Sequence, residues 1–552
     1  MTALNVGDND QRPGSVLYSN PQSAIRNPKW VLGLLVALAA AGPVAAQGLK
    51  GSGDPQLVAK AYTTLRTYGV RVASYQTSLP SLDEKADDPD NRLQFNRPLI
   101  VTFPGKLTTA ELPALLAHCA KLPNLGGIDF GHTIITDAGF KGFDALTDLE
   151  VLYFDNTNVG DPTLDLAAKC PRLRWLDAGN TKATDEGMKN LGNLKILHTL
   201  NLANTKVSDA GLNHLANAAK LRVLNLAGTG VTLADVKTLA GMKNLRHLIL
   251  DRTAVTDDSL KVLATLPALE RLSLQETNVT GAGLKPLAAV ATLREVELAD
   301  SKLTDEGLDG LGALKQVFRL DLSNSAPLDA DPKKLPKSQI TDAGLNRLNG
   351  CAALTTLRLN RTRITGAGLN GLGGLPNLAE LHLEQCPLAD PQMIGLSRLK
   401  TLRTVNLAKT PLTGEGLFTL GDIPTLETVL LDGSKVTDAG VKQIAAAKDI
   451  GELSLRETAV TGATPEWKNF RRLARLDLSH TRVNDSITKH LANIKTLQIV
   501  TLAETGVTGV GYRAMLKTNP ECRLLFAGPK PATPAAPTTA VARVSRLPVF
   551  TD

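Results

Sequence analysis

The sequence predicts an α/β solenoid with one long parallel sheet on its concave face and helical segments on its convex face, and three observations carry that reading. First, the chain repeats itself: residues 197–220 read LHTLNLANTKVSDAGLNHLANAAK, and the next 24 read LRVLNLAGTGVTLADVKTLAGMKN. Setting the register at Leu125 gives starts at 125, 149, 173, 197, 221, 245, 269, 293, 317, 354, 378, 402, 426, 450, 473 and 497, nearly all 24 apart. Second, each unit holds two periods: Leu200 and Leu202 alternate as in a half-buried strand, whereas Leu212 and Leu215 keep a helical interval. Third, the chain is 43% hydrophobic but only 4% aromatic, so its core is thin, regular layers of leucine, valine, isoleucine and alanine.

A single unit of this kind cannot bury enough aliphatic surface to offset the entropy of ordering its backbone. Stacked neighbours supply the missing burial and the strand-to-strand hydrogen bonds, so the units form one continuous array. Sixteen strands at ~4.8 Å each give a sheet path on the order of 75 Å.

Taken in order, residues 1–46 read as a signal peptide or signal anchor with a long polar leader. Arg26 and Lys29 precede an apolar run from Trp30 to about Ala41, and Val44, Ala45 and Ala46 form a small-residue cleavage site before Gln47. The run is short for ~30 Å of hydrocarbon and Pro43 follows it, which favours export with cleavage over a permanent anchor. Residues 47–124 form an N-terminal α/β cap containing the acidic loop SLDEKADDPDN, residues 81–91, which lacks the alternating ligands and central glycine of a calcium loop. The solenoid of about sixteen units follows over 125–526, interrupted by an insertion at 326–339. Residues 527–552, rich in Pro, Ala and Thr, are expected to be disordered.

Within the array each unit approximates LxxLxLxxTxVTDxGLxxLxxLxx. Position 9 is Thr in twelve units, Ser in three (Ser301, Ser325, Ser434) and Cys386 in one, a ladder of hydroxyls suited to satisfying backbone groups of adjacent turns. Position 13 is Asp in ten units, from Asp137 and Asp161 to Asp438 and Asp485, usually after a Thr, as a helix N-terminus favours. The recurrent glycine at position 15, as in Gly211, is explained by close packing of coils. Five cysteines is an odd number; their places in the register, Cys119, Cys170, Cys351, Cys386 and Cys522, predict no disulfide within the chain.

This repeat text resembles the leucine-rich repeat proteins, over roughly residues 99–526. It is similar to the cysteine-containing subclass around LAAKCPRLRWLDAG, and more so to the threonine-rich repeats of planctomycete-type bacterial proteins. The resemblance implies a right-handed horseshoe. It also implies a cap like those of the bacterial proteins for the segment from Pro55 through AYTTLRTYGVRVASY to RPLIVTF. Eukaryotic relatives of the cysteine-containing type often serve ubiquitin ligases through an F-box; no such module is visible in this sequence.

On such a scaffold recognition is expected at positions 2, 3, 5, 7 and 8, which face or rim the concave sheet. They carry 19 acidic and 13 basic residues, although the whole chain is +7, so the concave face is not expected to hold nucleic acid. Tyr153 and Trp175 stand close together there, surrounded by Arg174, Asp155 and Asp177, an aromatic-plus-arginine make-up suited to a binding anchor. Phe318 is a further anchor. Beside it the insertion APLDADPKKLPKSQ, with Asp329, Asp331, Lys333, Lys334 and Lys337, is either a neutral loop or a clasp. A smaller break at GATPEWKNFRR places Trp467 as a filler where Pro465 disrupts the helical side.

The histidines fall in separated units with no metal-ligand interval, and neither a phosphate-cradling glycine loop nor a nucleophile elbow appears. No catalytic set, metal or cofactor is therefore implied. The reading is a non-enzymatic scaffold, exported to the periplasm, cell envelope or beyond, that binds a protein or peptide through its concave face, with membrane contact only through an uncleaved N-terminal segment. The alternatives are a structural spacer or self-associating envelope protein, or a subunit acting on extracellular polymer through Asp129, Asp155 and Asp177 around His132.

Overall fold

The computed structural model describes residues 55–74, 99–234, 238–325 and 338–525. The leader, the acidic loop, almost all of the insertion and the C-terminal tail lie outside the described residues. Among the described residues nineteen strands form one sheet. Helix α1 (Pro55–Thr67) precedes β1 (Arg71–Ser74), which runs antiparallel to β2 (Leu99–Thr102). From β2 onward, through β3 (Leu125–Asp129), β4 (Val151–Tyr153) and β5 (Trp175–Asp177) to β18 (Ile499–Thr501) and β19 (Arg523–Leu525), each strand lies parallel to its predecessor. This is the open sheet of a leucine-rich repeat horseshoe. Coil 1 begins at residue 125 and coil 16 at residue 497, and β19 adds one further strand built from CRLL.

Each coil strand is only about three residues long, positions 3 to 5, with position 4 fully buried and its neighbours half-buried. Position 6 turns inward again and forms a spine along the core. Its first members are aromatic: Phe130 and Phe154 stack in line with Phe103 of the cap, at centroid distances of 5.1 and 5.5 Å, and Phe140 packs edge-on against the Phe130 and Phe154 rings. Ala178 ends the aromatic run, and from Leu202 onward the spine is leucine. Trp467 is fully buried in the coil that Pro465 interrupts, as a filler should be.

Fourteen of the position-9 hydroxyls donate to the carbonyl three residues earlier, at 2.5–2.8 Å, as Thr157 does to Phe154. The ladder therefore closes each coil's own turn and does not reach the adjacent one. The remaining two positions are Ser325, beside the insertion, and Cys386, whose Sγ reaches back to the Leu359 carbonyl of the preceding coil at 3.1 Å.

The position-13 aspartates also differ from their expected role. The threonine or serine before them caps the convex helix, as Thr184 does by accepting from the Glu186 amide. The aspartate instead reaches the following coil: Asp161 accepts from the Thr184 amide and hydroxyl, both at 2.7 Å, and Asp185 from those of Ser208 at 2.7 and 2.6 Å. The turn between strand and helix leaves amides pointing along the solenoid axis, so the nearest acceptor is the carboxylate one coil back. Position 15 is glycine because a Cβ on Gly211 would lie 2.3 Å from that carboxylate, Asp185 Oδ1. All five cysteines are buried and unpaired, and burial pushes the Cys119, Cys170 and Cys351 thiols up to about 12.

Position 8 carries a feature that the sequence analysis missed. In every coil but one it adopts a left-handed backbone conformation, from His132 (φ 60°), Asn156 (φ 56°) and Asn180 (φ 55°) to Glu457 (φ 59°) and Glu504 (φ 53°). The chain turns out of the strand there. Asn324, where the period breaks before the insertion, is the position-8 residue without a positive φ.

Candidate functional site

The short strands place positions 2, 3, 5, 7 and 8 of successive coils side by side, so residues 24 apart in sequence become neighbours ~4.8 Å apart. The register pairs Tyr153 with Asp177 and Val151 with Trp175. The Tyr153 and Trp175 rings accordingly meet, with centroids 6.1 Å apart and planes inclined at 51°. Both are half-buried, and the Trp175 Nε1 is buried with no hydrogen-bond partner among the described residues.

Three carboxylates flank this pair. Asp129 is buried and its Oδ1 accepts from the Gly131 amide at 2.9 Å; Asp177 Oδ1 accepts from Gly179 N at 3.0 Å and from Asn201 Nδ2 at 2.9 Å. Asp155 closes over Gly131, where a Cβ would lie 2.6 Å from Asp155 Oδ1 and 3.0 Å from Asp129 Oδ1, and its Oδ2 lies 3.3 Å from His132 Nε2. Burial, outweighing the hydrogen bonds it receives and helped by Asp155 and Asp129, raises the Asp177 carboxyl to about 6. Among the described residues no group of three or more His, Cys, Asp or Glu is arranged to hold a metal ion.

Arg174 stands on the rim rather than over the rings. Its Nε lies 3.8 Å from Glu150 Oε2, while Arg172 holds the other oxygen of Glu150 at 3.0 Å. The structure thus brings Tyr153, Trp175, Asp155 and Asp177 together, with Arg174 at their edge. Phe318 is six coils further on, on the order of 29 Å along the sheet, and belongs to no common site with them. It is half-buried, and its carbonyl anchors coil 10 by accepting from Thr355 and Thr356.

Sequence reasoning missed how the charge is distributed on this face. Rim arginines pair with glutamates of adjacent coils: Arg246 with Glu270 at 3.1 Å, Arg271 with Glu295 at 2.8 Å, Arg403 with Glu427 at 2.9 Å and Arg475 with Glu452 at 3.1 Å. At positions 5 and 7, the floor, carboxylates outnumber arginines nine to two, and burial raises Asp251, Glu297 and Asp432 as well as Asp177. Counting positions 5 and 7 separately from 2 and 3 would have shown this in the sequence.

A model of the leucine-rich repeat region matches residues 139–455, more than half of the chain, and the chain belongs to that family. No curated protein matches it. Solved structures that it resembles include an internalin of Listeria monocytogenes, at 20% identity and TM-score 0.41 over 61% of this chain and 83% of that one. A leucine-rich repeat protein of Leptospira interrogans is similar at 20% identity and TM-score 0.48, over 76% and 95% of the two chains. The receptor TLR13, solved in complex with an RNA, is similar at 14% identity and TM-score 0.41, over 76% and 72%. These likenesses are of fold.

Proposed function

We propose that this chain is a non-enzymatic recognition scaffold, exported to the cell envelope or beyond, whose concave face binds a protein or peptide. The Tyr153–Trp175 pair carries this reading: two half-exposed rings in contact on adjacent strands, set among charged groups. Aromatic anchors of this kind concentrate binding energy at protein interfaces. The acidic floor argues against a nucleic-acid backbone along the sheet. Export rests on the apolar run from Trp30 and the small residues before Gln47.

Affinity capture from envelope and medium fractions, with the full chain beside a Tyr153→Ala, Trp175→Ala double variant, tests the site. A partner held by the first and lost by the second supports it; equal retention removes the aromatic pair from the interface. N-terminal sequencing of the recovered protein tests export, with Gln47 as the expected first residue.

A second reading, self-association through the convex face, has one observation behind it. Position 17 is polar in fourteen of the sixteen coils, but Ile394 and Phe418, on adjacent coils, are about half exposed. A monomer in sedimentation at high concentration would remove it.

A further inference from the structure

Coils 4 and 5 depart from the rest of the concave face. Their facing positions are His198, Thr199, Asn201, Ala203 and Asn204, then Arg222, Val223, Asn225, Ala227 and Gly228, without a single carboxylate; coils 10 and 12 also lack one, but each stands singly between carboxylate-bearing coils, so coils 4 and 5 form the one adjacent pair of this kind. The exposed Arg222 guanidinium makes no hydrogen bond or ion pair to the protein among the described residues, unlike Arg174 and Arg246 on either side, which lean toward Glu150 and Glu270. His198 Nδ1 is buried with no partner, and the Asn225 Oδ1 is occupied by the Ala227 amide, so its Nδ2 is free to donate. Lys195 and Lys220 stand exposed in the turns leading into these strands, and Lys243 in the turn that leaves coil 5.

From this geometry we infer that coils 4 and 5 are an anion subsite which receives a short acidic stretch of the partner peptide, with Arg222 as its central donor and Tyr153–Trp175 holding an apolar residue beside it. The inference rests on the concave-face reading above and names the chemistry of the occupant. Arginine presents a fork of donors matched to a carboxylate, and the free Nδ2 of Asn225 beside it is a donor too. The extent of the window selects the class of ligand. It is two coils wide, about 10 Å at ~4.8 Å per coil, and is closed by Asp177 and Asp155 on one side and Asp251 on the other. A uniformly charged polymer would run onto those carboxylates, whereas a few acidic side chains flanked by neutral ones fit between them. Trp175 to Arg222 is two coils, so about three extended residues separate the apolar anchor from the acidic group.

His198 supplies an internal gauge. Burial lowers its pKa, and the facing cations Arg222, Arg174 and Lys220 lower it further. Carboxylates seated on the window offset those cations, so the His198 titration moves upward when the site fills.

The test uses the full chain and two fluorescein-labelled peptides, Ala-Trp-Ala-Ala-Glu-Glu-Glu-Ala and the same peptide with glutamines for the glutamates. The glutamate peptide is expected to bind at least about fivefold more tightly at ~0.1 M salt, to lose that preference in Arg222→Gln, and to keep part of it in Arg222→Lys. Arg403→Gln, at the same position seven coils on, is the control and leaves the preference intact. In wild type the glutamate peptide raises the His198 pKa by proton NMR. Equal binding of the two peptides, or a preference that survives Arg222→Gln, overturns the inference. Heparin binding through Arg222 without a glutamate preference also overturns it, in favour of a sulfated anion. If the glutamate preference is absent while the aromatic double variant still loses its captured partner, this inference fails and the concave-face reading stands.

Discussion

The first four coils and the coils from the sixth onward fasten each turn to the next with the same residue used in two ways. Early in the array position 13 is aspartate in four consecutive coils, Asp137, Asp161, Asp185 and Asp209. Asp161 and Asp185 each hold an amide and a hydroxyl of the next cap. Later, aspartate alternates with glycine: Asp257, Gly281, Asp305; then Asp342, Gly366, Asp390, Gly414, Asp438, Gly462, Asp485. Gly281, Gly366, Gly414 and Gly462 are left-handed. That conformation turns the amides of Gly281 and Gly283 onto Asp257, beside the Thr280 amide and hydroxyl, so one carboxylate holds four donors. Alternation spares the array a stack of like charges and concentrates the clamp on every second coil. Coil 5 lies between the two regimes: Leu233 is left-handed in the glycine slot (φ 59°), and Asp209, the last aspartate of the early run, already holds four donors, the Thr232 amide and hydroxyl and the Leu233 and Ala234 amides.

The sharpest break of this contrast is at position 15. A Cβ on Gly416 would meet the Asp390 backbone carbonyl at 2.0 Å, whereas on Gly211 it meets a side-chain oxygen, Asp185 Oδ1, at 2.3 Å. A side chain can rotate aside and a backbone cannot. Gly416→Ala is expected to cost about 3 kcal/mol or more in urea denaturation and Gly211→Ala about half of that; equal losses would show that the two clamps are equally rigid.

Removing the clamp itself comes next. Asp257→Ala leaves four donors without their acceptor and is expected to cost about 2 to 3 kcal/mol, against about 1 to 2 for Asp185→Ala, read from the same denaturation curves. If Asp185→Ala costs as much, the alternating arrangement confers no added strength.

These clamps also mark where the sequence was legible. The 24-residue period and the two periodicities within it carry the fold, because a leucine at positions 4 and 6 has only one place to go. The Thr-Asp pair was visible as a helix-start signal, but the partner of its carboxylate lies 23 residues away in sequence and one coil away in space, which single-unit reasoning does not reach. The Tyr153–Trp175 contact was legible because it follows directly from the register. Phe318, a separate candidate anchor, lies six coils from that pair, a spacing that also follows from the register. Arg222 went unnoticed because its distinction is the missing carboxylate on either side.

The Asp177 carboxyl gives the early region a pH signature, and Asp251, Glu297 and Asp432 on the later floor are raised by burial in the same direction. Its folded value is raised to about 6 while an unfolded aspartate titrates near 3.9. The native state therefore holds the proton more tightly between those values. The contribution to stability is fully present below about pH 4 and is lost as pH rises through about 6. Relative to Asp177→Asn, the wild type is expected to gain about 2 kcal/mol on going from pH 7 to pH 4, measured by urea denaturation at each pH. A constant difference between the two proteins across that range would mean that Asp177 is solvated more fully than its buried setting implies.

The smallest effect separates the two regions at position 8. Early coils place Asn156, Asn180 and Asn204 in the left-handed turn, and asparagine tolerates that backbone; later coils place Arg252, Glu276, Gln385 and Glu457 there, which do not. Glu276 is exposed and its nearest cation, Arg252 Nη1, is 3.9 Å away, an ion pair too weak to account for the residue. Glu276→Gly removes the strain of a Cβ at φ 56° and is expected to raise stability by about 0.5 to 1 kcal/mol, whereas Asn156→Gly changes it little. A Glu276→Gly variant that is more stable and still holds the captured partner at full strength would show that the later rim takes no part in recognition. A variant more stable but weaker in binding would extend the interface from the aromatic end into the alternating coils.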